Sequence, residues 1–299
     1  MKKGIDVSAH NGSVDWGRAK KDIDFAMLRA GFGKGNVDKH FHENAKGCIS
    51  NGIPFGVYWF SYAITVDDAR AEAQHCLDAI KGYTLDYPVA FDFEYDSDNY
   101  FIKKVGRAMT KARKIAIAQA FCETVEKAGY YVSIYTNLDY FNKSFKSLAN
   151  KYDIWLARWN AKSSGQVCGM WQYTDRGCVA GVKRVVDCNY SYKDYPKIIE
   201  TMRKAVKETG APTGKVYTAD ELKKWCSIFY KNSPDVVKKY QKEHWDRLVD
   251  VAVETVRGKY GNGDTRVRSL KAAGYDPIMV QLFVNCMTIG VPSWLTSLG

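Results

Sequence analysis

Eight short apolar segments recur over the first two thirds of the chain, and most are separated by stretches whose apolar residues have helical spacing. Strands that alternate with helices and are apolar on both faces are typical of a parallel sheet. Eight such strands in roughly 200 residues predict a closed, irregular parallel β/α barrel, although the connections between the last three are too short for full helices. The predicted strands are residues 4–8, 25–31, 54–62, 88–94, 131–136, 154–159, 170–174 and 184–189, and the predicted helices are residues 41–50, 66–80, 106–128 and 192–207.

The fourth predicted strand carries two acids on one face. Asp92 and Glu94 are two residues apart, so their Cα atoms lie roughly 6.6 Å apart and their carboxyl groups can approach to about 5–7 Å. Retaining glycosidases use a carboxyl separation of roughly 5–5.5 Å. Residues 95–100 predict a loop, which places both acids at the solvent end of the strand. An isolated pair of this kind is also common at solvated strand ends.

Asp6 and Asp187 strengthen the argument, because each lies near the end of a predicted strand. In a β/α barrel, catalytic side chains stand at the C-terminal ends of the strands, and the first and last strands are neighbours about 4.8 Å apart. We therefore expect Asp6 and Asp187 to lie side by side and to face Asp92 and Glu94 across one cleft. Like charges at short range raise some of the carboxyl pKa values, and a glutamate protonated near neutral pH suits general acid catalysis.

Four motifs in this part of the chain resemble one known family. They are GIDVSAHNG at 4–12, GVYWFSYA at 56–63, FDFE at 91–94, and WQYT at 171–174 followed by VDCN at 186–189. Together they resemble the glycoside hydrolase family 25 lysozymes over roughly residues 3–205. The resemblance implies an N-acetylmuramidase that cuts the β-1,4 bond between N-acetylmuramic acid and N-acetylglucosamine in bacterial peptidoglycan, with no metal and no organic cofactor.

Carried over position by position, the resemblance makes Glu94 the general acid/base and places Asp92, Asp6 and Asp187 at the remaining acidic positions. It implies that the configuration is retained through attack of the substrate's own 2-acetamido carbonyl on the anomeric carbon, with Asp92 orienting the amide nitrogen. A direct aspartyl nucleophile is the competing mechanism, and the sequence does not separate the two.

Aromatic residues suit a sugar cleft, because the apolar face of a pyranose stacks on a ring. Tyr58 and Trp171 lie inside the family-like motifs and are the favoured cleft residues, with Tyr62 and Tyr135 as further candidates near strand ends. Each of these rings has core packing as its alternative. His10 begins a loop and is interpreted as structural, and the five scattered histidines show no metal-ligand spacing, so we expect no metal site.

The residue composition and the predicted secondary structure change after residue 208. Residues 209–217 are small and turn-rich, which is typical of a linker, and the remainder has only helical signals, at 218–230, 234–257, 264–273 and 277–287. We divide the chain into a catalytic barrel at 1–208, a linker at 209–217 and a helical domain at 218–299. Its core at 245–287 resembles the three-helix cell-wall-binding repeat of certain phage lysozymes, which implies anchoring to the wall.

The formal net charge of +11 is shared by both parts of the chain. A basic protein accumulates on walls that carry anionic polymers, which favours peptidoglycan as the partner. Nucleic acid is disfavoured because no compact basic stripe or phosphate-binding loop accompanies the charge. No membrane span is expected, since no run of about 18 apolar residues occurs. The oligomeric state stays open.

The N-terminal residues Met1, Lys2 and Lys3 lead directly into the first predicted strand, so we expect no signal peptide. This fits an endolysin held in the host cytoplasm until release, although a trimmed secreted autolysin would look the same. The eight scattered cysteines favour free thiols, with Cys168 and Cys178 as the one candidate bridge.

Two alternatives remain from the sequence. One is a catalytically idle wall-binding or assembly protein on the same scaffold, which the four acids argue against. The other, on the barrel and the acids alone, is a chitinase-like glycosidase.

Overall fold

The computed structural model describes residues 1–200, 219–220, 223, 242–256, 259–260, 263–275, 280 and 284. The chain divides into two compact units, one of residues 1–126 and 130–200 and the other of residues 127–129 and 201–299. The predicted linker, the end of the predicted helix at 192–207, and most of the predicted helices at 218–230 and 277–287 lie outside the described residues. Residues 195–200 are helical.

The first unit contains the predicted closed eight-stranded barrel, which is confirmed. The strands follow one another around the barrel in the order β1-β9-β8-β7-β6-β5-β4-β2, and pairing of β1 with β2 closes it. The two-residue strand β3 pairs antiparallel with β2 and lies outside the ring. The strands are β1 (Lys2–Val7), β2 (Phe25–Phe32), β3 (Asn36–Val37), β4 (Phe55–Phe60), β5 (Val89–Asp92), β6 (Val132–Asn137), β7 (Asp153–Ala157), β8 (Met170–Gly177) and β9 (Val186–Ser191).

Helices connect most of the parallel strands. The α-helices between these strands are α1 (Trp16–Ala19), α2 (Phe41–Ser50), α3 (Val66–Ile80), α4 (Tyr95–Val105), α5 (Lys111–Lys127) and α6 (Leu138–Tyr140). Short 3-10 segments occur at Ala9–Asn11 and Lys146–Asn150, and a π-helical turn occurs at Phe141–Phe145.

The last strand differs from the sequence prediction in direction. β9 runs antiparallel to both of its neighbours, β1 and β8, whereas the other strands of the ring are parallel to one another. The reason is the connection at residues 178–185, because a parallel crossover needs a dozen or more residues. The strand also spans Val186–Ser191 rather than 184–189. The barrel is therefore closed by a hairpin and not by a β/α unit.

The predicted loop at 95–100 is wrong, since these residues form the first half of α4. Glu94 is the N-cap of this helix, and its backbone N–H donates to Ser97 Oγ over 3.2 Å. Gly106 ends α4 in the left-handed region at φ 78°, which glycine adopts without strain. The predicted single helix at 106–128 consequently begins later, as α5.

Side chains alternate between the barrel interior and the surrounding helices. On β5 and just beyond it, Phe91 packs on Phe121 of α5 with ring centroids 5.3 Å apart, and Phe93 packs on Phe145 at 5.6 Å. Because successive residues of an extended chain face opposite sides, these two outward rings leave Asp92 and Glu94 pointing into the barrel. The apolar core between strands and helices thus fixes the direction of both acids.

The described part of the second unit is helical, with α7 at Lys242–Val256 and α8 at Gly263–Ala272. Leu248, Val251 and Ala252 are buried, as their helical spacing predicts. Among the described residues, no helix is long and apolar enough to cross a bilayer.

The cysteines of the first unit carry free thiols, including the candidate pair Cys168 and Cys178. The other two cysteines of the sequence lie outside the described residues.

Candidate active site

A cavity of about 250 Å³ opens at the rim where the parallel strands end. It collects residues from all eight ring strands and from the segments that follow β1 and β5. All four predicted acids line it. The lining residues are Asp6, Ser8, His10, Asn11, Arg29, Tyr58, Phe60, Asp92, Glu94, Tyr135, Trp155, Gln172 and Asp187.

Asp6 and Asp187 lie side by side, as predicted. They are direct register partners of the antiparallel pair β1 and β9, a geometry that holds Cα atoms about 4.5–5.5 Å apart. The sequence predicts Asp187 at the end of a parallel strand, whereas it lies near the start of an antiparallel one. The start of an antiparallel strand and the ends of its parallel neighbours share one rim, so the acid reaches the expected place by a different route.

Asp6 is buried and receives two amide donors. Asn189 Nδ2 donates to Asp6 Oδ2 over 2.8 Å, and Gln172 Nε2 donates to the same oxygen over 3.0 Å. The orientation of both amides is set by tryptophans, since an indole N–H can only donate. Trp155 Nε1 donates to Asn189 Oδ1 over 2.8 Å and Trp159 Nε1 donates to Gln172 Oε1 over 2.9 Å. Both amide groups therefore turn their NH₂ toward Asp6 and favour its carboxylate form.

Asp187 carries the higher pKa of this pair. Burial raises the pKa of Asp187 to about 8, with a further increase from the charge of Asp6. Burial also raises the pKa of Asp6, but the hydrogen bonds from Asn189 and Gln172 hold the pKa of Asp6 at about 6. The arrangement agrees with the prediction that one carboxyl of the pair titrates upward. Asp187 therefore keeps its proton to higher pH than Asp6 does.

Asp92 ends β5 between Phe60 of β4 and Tyr135 of β6. It is 2% exposed, and its Oδ1 atom is buried with no hydrogen-bond partner among the described residues. Burial raises the pKa of Asp92 well above its ordinary value, the charges of Glu94 and Asp6 raise it further, and Arg29 opposes them. A buried acceptor without a partner is costly, and Asp92 is one of the residues that line the cavity.

Glu94 is half-buried and lies at the N-terminus of α4. Burial raises the pKa of Glu94, the neighbouring Tyr135 hydroxyl lowers it, and the charges of Asp187 and Asp96 raise it again. A glutamate with an elevated pKa retains its proton closer to neutral pH, as proton donation requires. Glu94 and Asp92 thus reach one cavity with different environments, one open to solvent and one enclosed.

The aromatic predictions divide. Tyr58 and Tyr135 line the cavity, together with Phe60 and with Trp155, which the sequence argument missed. Tyr62 lies outside the lining residues, with its ring centroid 5.0 Å from that of Phe60. Its role in binding stays a prediction.

The prediction that Trp171 is a cleft residue is wrong, because Trp171 is not among the residues that line the cavity. Its indole N–H donates to the Arg158 carbonyl over 2.9 Å, and its ring packs against Tyr173 and Tyr190. The next residue on β8, Gln172, takes the inward position and binds Asp6. Since neighbouring strand residues face opposite sides, Trp171 must face away from the cavity. His10, interpreted as structural from the sequence, lines the cavity.

Gln172, Asn189 and Arg29 are site residues that the sequence argument did not single out. Asn189 had a usable signal, because it lies two residues after Asp187 and so shares its strand face. Gln172 lies within a quoted motif, but only the strand register reveals that it faces inward. Arg29 had no local signal.

A closed barrel with four acids in the cavity at its rim is the architecture of a glycoside hydrolase. The sequence model of Glycosyl hydrolases family 25 matches residues 5–182, more than half of the chain, and the chain therefore belongs to this family. A CW_7 repeat matches residues 250–287, which agrees with the predicted wall-binding repeat.

Known relatives extend the comparison. The uncharacterized protein YegX of Escherichia coli K12 is 28% identical over 197 residues, which is 62% of this chain and 68% of that protein. Lysozyme M1 of Streptomyces globisporus is 27% identical over 199 residues, covering 62% and 66%. The solved modular autolysin LytC of Streptococcus pneumoniae superposes with a TM-score of 0.55 at 29% identity, over 63% of this chain and 46% of that chain. The chain thus spans about half the length of this autolysin.

Proposed function

We propose that the protein is a peptidoglycan hydrolase of the N-acetylmuramidase type, which cleaves the β-1,4 bond between N-acetylmuramic acid and N-acetylglucosamine with net retention. The observation that carries the proposal is the buried, unpartnered Oδ1 of Asp92 in the same cavity as Glu94. A 2-acetamido N–H is the donor that this oxygen needs. LytC has been solved in complex with a synthetic peptidoglycan ligand, and the same ligand class is part of our proposal for this chain.

In the first step, Glu94 donates its proton to the glycosidic oxygen as the bond to the anomeric carbon breaks. The acetamido carbonyl oxygen attacks that carbon from the opposite face, and an oxazolinium ion forms. Asp92 accepts the acetamido N–H and so orients the carbonyl oxygen for this attack. The raised pKa of Glu94 supports its role as the proton donor.

In the second step, Glu94 is a carboxylate and removes a proton from water, which attacks the anomeric carbon and opens the oxazolinium ring. Two inversions give net retention. Asp6 and Asp187 act through charge and position, since Asp6 and its two amide donors lie beside the reacting acids. The proton shared by this pair limits the total negative charge in the cavity at neutral pH.

We further propose that the second unit anchors the enzyme to the bacterial cell wall, where the barrel acts. The CW_7 match at 250–287 and the net charge of +11 support this part of the proposal. A basic protein is attracted to anionic wall polymers.

Mass spectrometry of digested peptidoglycan tests the cleavage specificity. The expected soluble products end in a reducing N-acetylmuramic acid, and the Glu94→Gln protein releases none of them. Products ending in reducing N-acetylglucosamine would contradict the muramidase assignment. Absence of soluble products from the wild-type protein across pH 4–8 would instead support a catalytically idle wall-binding protein.

A further inference from the structure

Arg29 is a cation in a cavity that is otherwise lined by four acids, His10 and uncharged residues. It lies on β2, and its register partner on β4 is Tyr58, another cavity residue. Its side chain is 13% exposed. The steps of the proposed reaction assign no task to this guanidinium.

A buried carboxylate fixes the position of Arg29. Arg29 Nε donates to Asp38 Oδ2 over 2.7 Å, and the Asp38 side chain is fully buried. Asp38 also accepts the backbone N–H groups of Ala9, over 3.0 Å, and of His40, over 2.9 Å. Three donors therefore hold Asp38 in place, and the arginine that it binds has little freedom to move.

The remaining donors of Arg29 are available to a ligand. A guanidinium carries five N–H donors in a rigid planar fork. Within residues 1–200, the hydrogen bond of Arg29 goes to Asp38 and not to any of the four cavity acids. Because Asp38 offsets its charge, Arg29 is suited to donating hydrogen bonds to a ligand oxygen more than to neutralising the catalytic acids.

We propose that Arg29 determines specificity by donating hydrogen bonds to the terminal oxygen of the lactyl group on muramic acid. This inference rests on the proposed muramidase function. The 3-O-lactyl ether distinguishes muramic acid from N-acetylglucosamine, and it ends in a carboxylate when free and in an amide carbonyl when joined to a stem peptide. Both forms accept hydrogen bonds from a guanidinium, whereas a chitin chain offers no such group.

Binding measurements with uncleaved ligands test the inference. All proteins carry Glu94→Gln so that no ligand is hydrolysed, and titration calorimetry compares two tetrasaccharides. One is the alternating N-acetylglucosamine and N-acetylmuramic acid glycan without stem peptides, and the other is chitotetraose. Arg29→Gln is expected to weaken binding of the muramyl glycan by about tenfold or more, the usual effect of losing a charged hydrogen bond. Binding of chitotetraose should change by less than about twofold.

Matched variants separate recognition from folding. Arg29→Gln leaves Asp38 with an unpaired buried charge, so the double variant Arg29→Gln with Asp38→Asn removes both partners. Arg29→Lys keeps the charge but loses the planar fork, and its loss of muramyl binding should be smaller. The exposed Arg107→Gln changes the net charge equally and should leave both affinities unchanged.

If the folded double variant lost affinity for the muramyl glycan and for chitotetraose equally, the inference would be overturned, because Arg29 would then act by shaping the cavity. Unchanged muramyl binding would overturn it as well. Failure of the proposed function would give a different result. The protein with native Arg29 would then bind neither tetrasaccharide, and the wild-type enzyme would release no muramyl product. The inference about Arg29 would be overturned together with the proposed function.

Discussion

Asp187→Asn should make the protein more stable at neutral pH while lowering its activity. Burial and the neighbouring Asp6 raise the pKa of Asp187 from 3.8 to about 8. Between these two values the folded state holds a proton that the unfolded state has lost. Stability falls with rising pH wherever the folded state binds more protons, so Asp187 lowers the free energy of unfolding progressively from about pH 4 to pH 8. An asparagine has no such proton to lose.

The size of the effect follows from the same values. A pKa difference of this size corresponds to roughly 6 kcal/mol for an isolated group, which is an upper bound because Asp6 and Asp187 share one proton. We expect a gain of about 1–3 kcal/mol near pH 8, which corresponds to roughly 2–10 °C in Tm for a unit of this length. Below about pH 4 both states are protonated at this position, and the gain should disappear.

Differential scanning calorimetry of the two proteins from pH 4 to 9 measures this directly. The Tm of the wild-type protein should fall below that of Asp187→Asn as pH rises, and the curves should converge at the acid end. Asp67→Asn is the matched control, since the Asp67 side chain is 89% exposed on α3, and its curve should run parallel to the wild-type curve. Parallel curves for Asp187→Asn as well would refute the placement of the proton on Asp187.

Three further predictions concern catalysis and binding. Glu94→Gln keeps the shape of the side chain but removes the proton donor, so turnover of soluble glycan should fall by at least about a hundredfold while the protein still folds; clearing of wall suspensions at the wild-type rate would exclude Glu94 as the acid. Asp92→Asn should lower turnover nearly as much. The wild-type enzyme should also fail to cleave a glycan without 2-acetamido groups; cleavage of that glycan at the rate of the normal substrate would exclude acetamido participation. Truncation after residue 208 should leave a barrel that cleaves soluble muropeptides at the full rate but sediments less with purified walls, whereas equal sedimentation would remove the anchoring role.

The convergence of the acids was predictable because it depends on local alternation and on barrel closure. Asp92 and Glu94 are separated by one residue, and Phe93 between them packs outward, so any extended chain here presents both acids to one side. The neighbourhood of Asp6 and Asp187 follows from closure of eight strands, whichever way the last strand runs. This insensitivity to direction explains why a wrong strand direction still led to the right pair.

It was harder to predict which residues of a single strand face the cavity. On β8, Trp171 and Gln172 are successive residues, and the sequence predicts only the aromatic Trp171 as a cleft residue. The structure selects Gln172 because its partner across the hairpin is Asn189, and both amides bind Asp6. Such a choice depends on register between distant segments, which no pattern within β8 encodes.

The pairing of Arg29 with Asp38 could not be predicted from the sequence either. The two residues are nine positions apart, on β2 and just beyond β3, and neither belongs to a motif used to locate the cleft. Their pairing depends on the short antiparallel extension at β3, which reverses the chain beside the barrel rim. A two-residue strand leaves no periodicity to detect, so its consequence for the site is visible only in the fold.

The four acids of the cavity have different hydrogen-bond partners and different access to solvent, which separates their pKa values. Asp6 has two amide donors whose orientation the indoles of Trp155 and Trp159 fix, so it ionises more readily than Asp187. Asp187 lies directly beside that charge and keeps the proton. Asp92 has an unpartnered oxygen that a substrate amide can satisfy, and Glu94 keeps partial access to solvent and can exchange its proton. Four identical functional groups thereby acquire distinct protonation behaviour from their hydrogen-bond partners, and a change at any one partner should alter the proton affinity of the others.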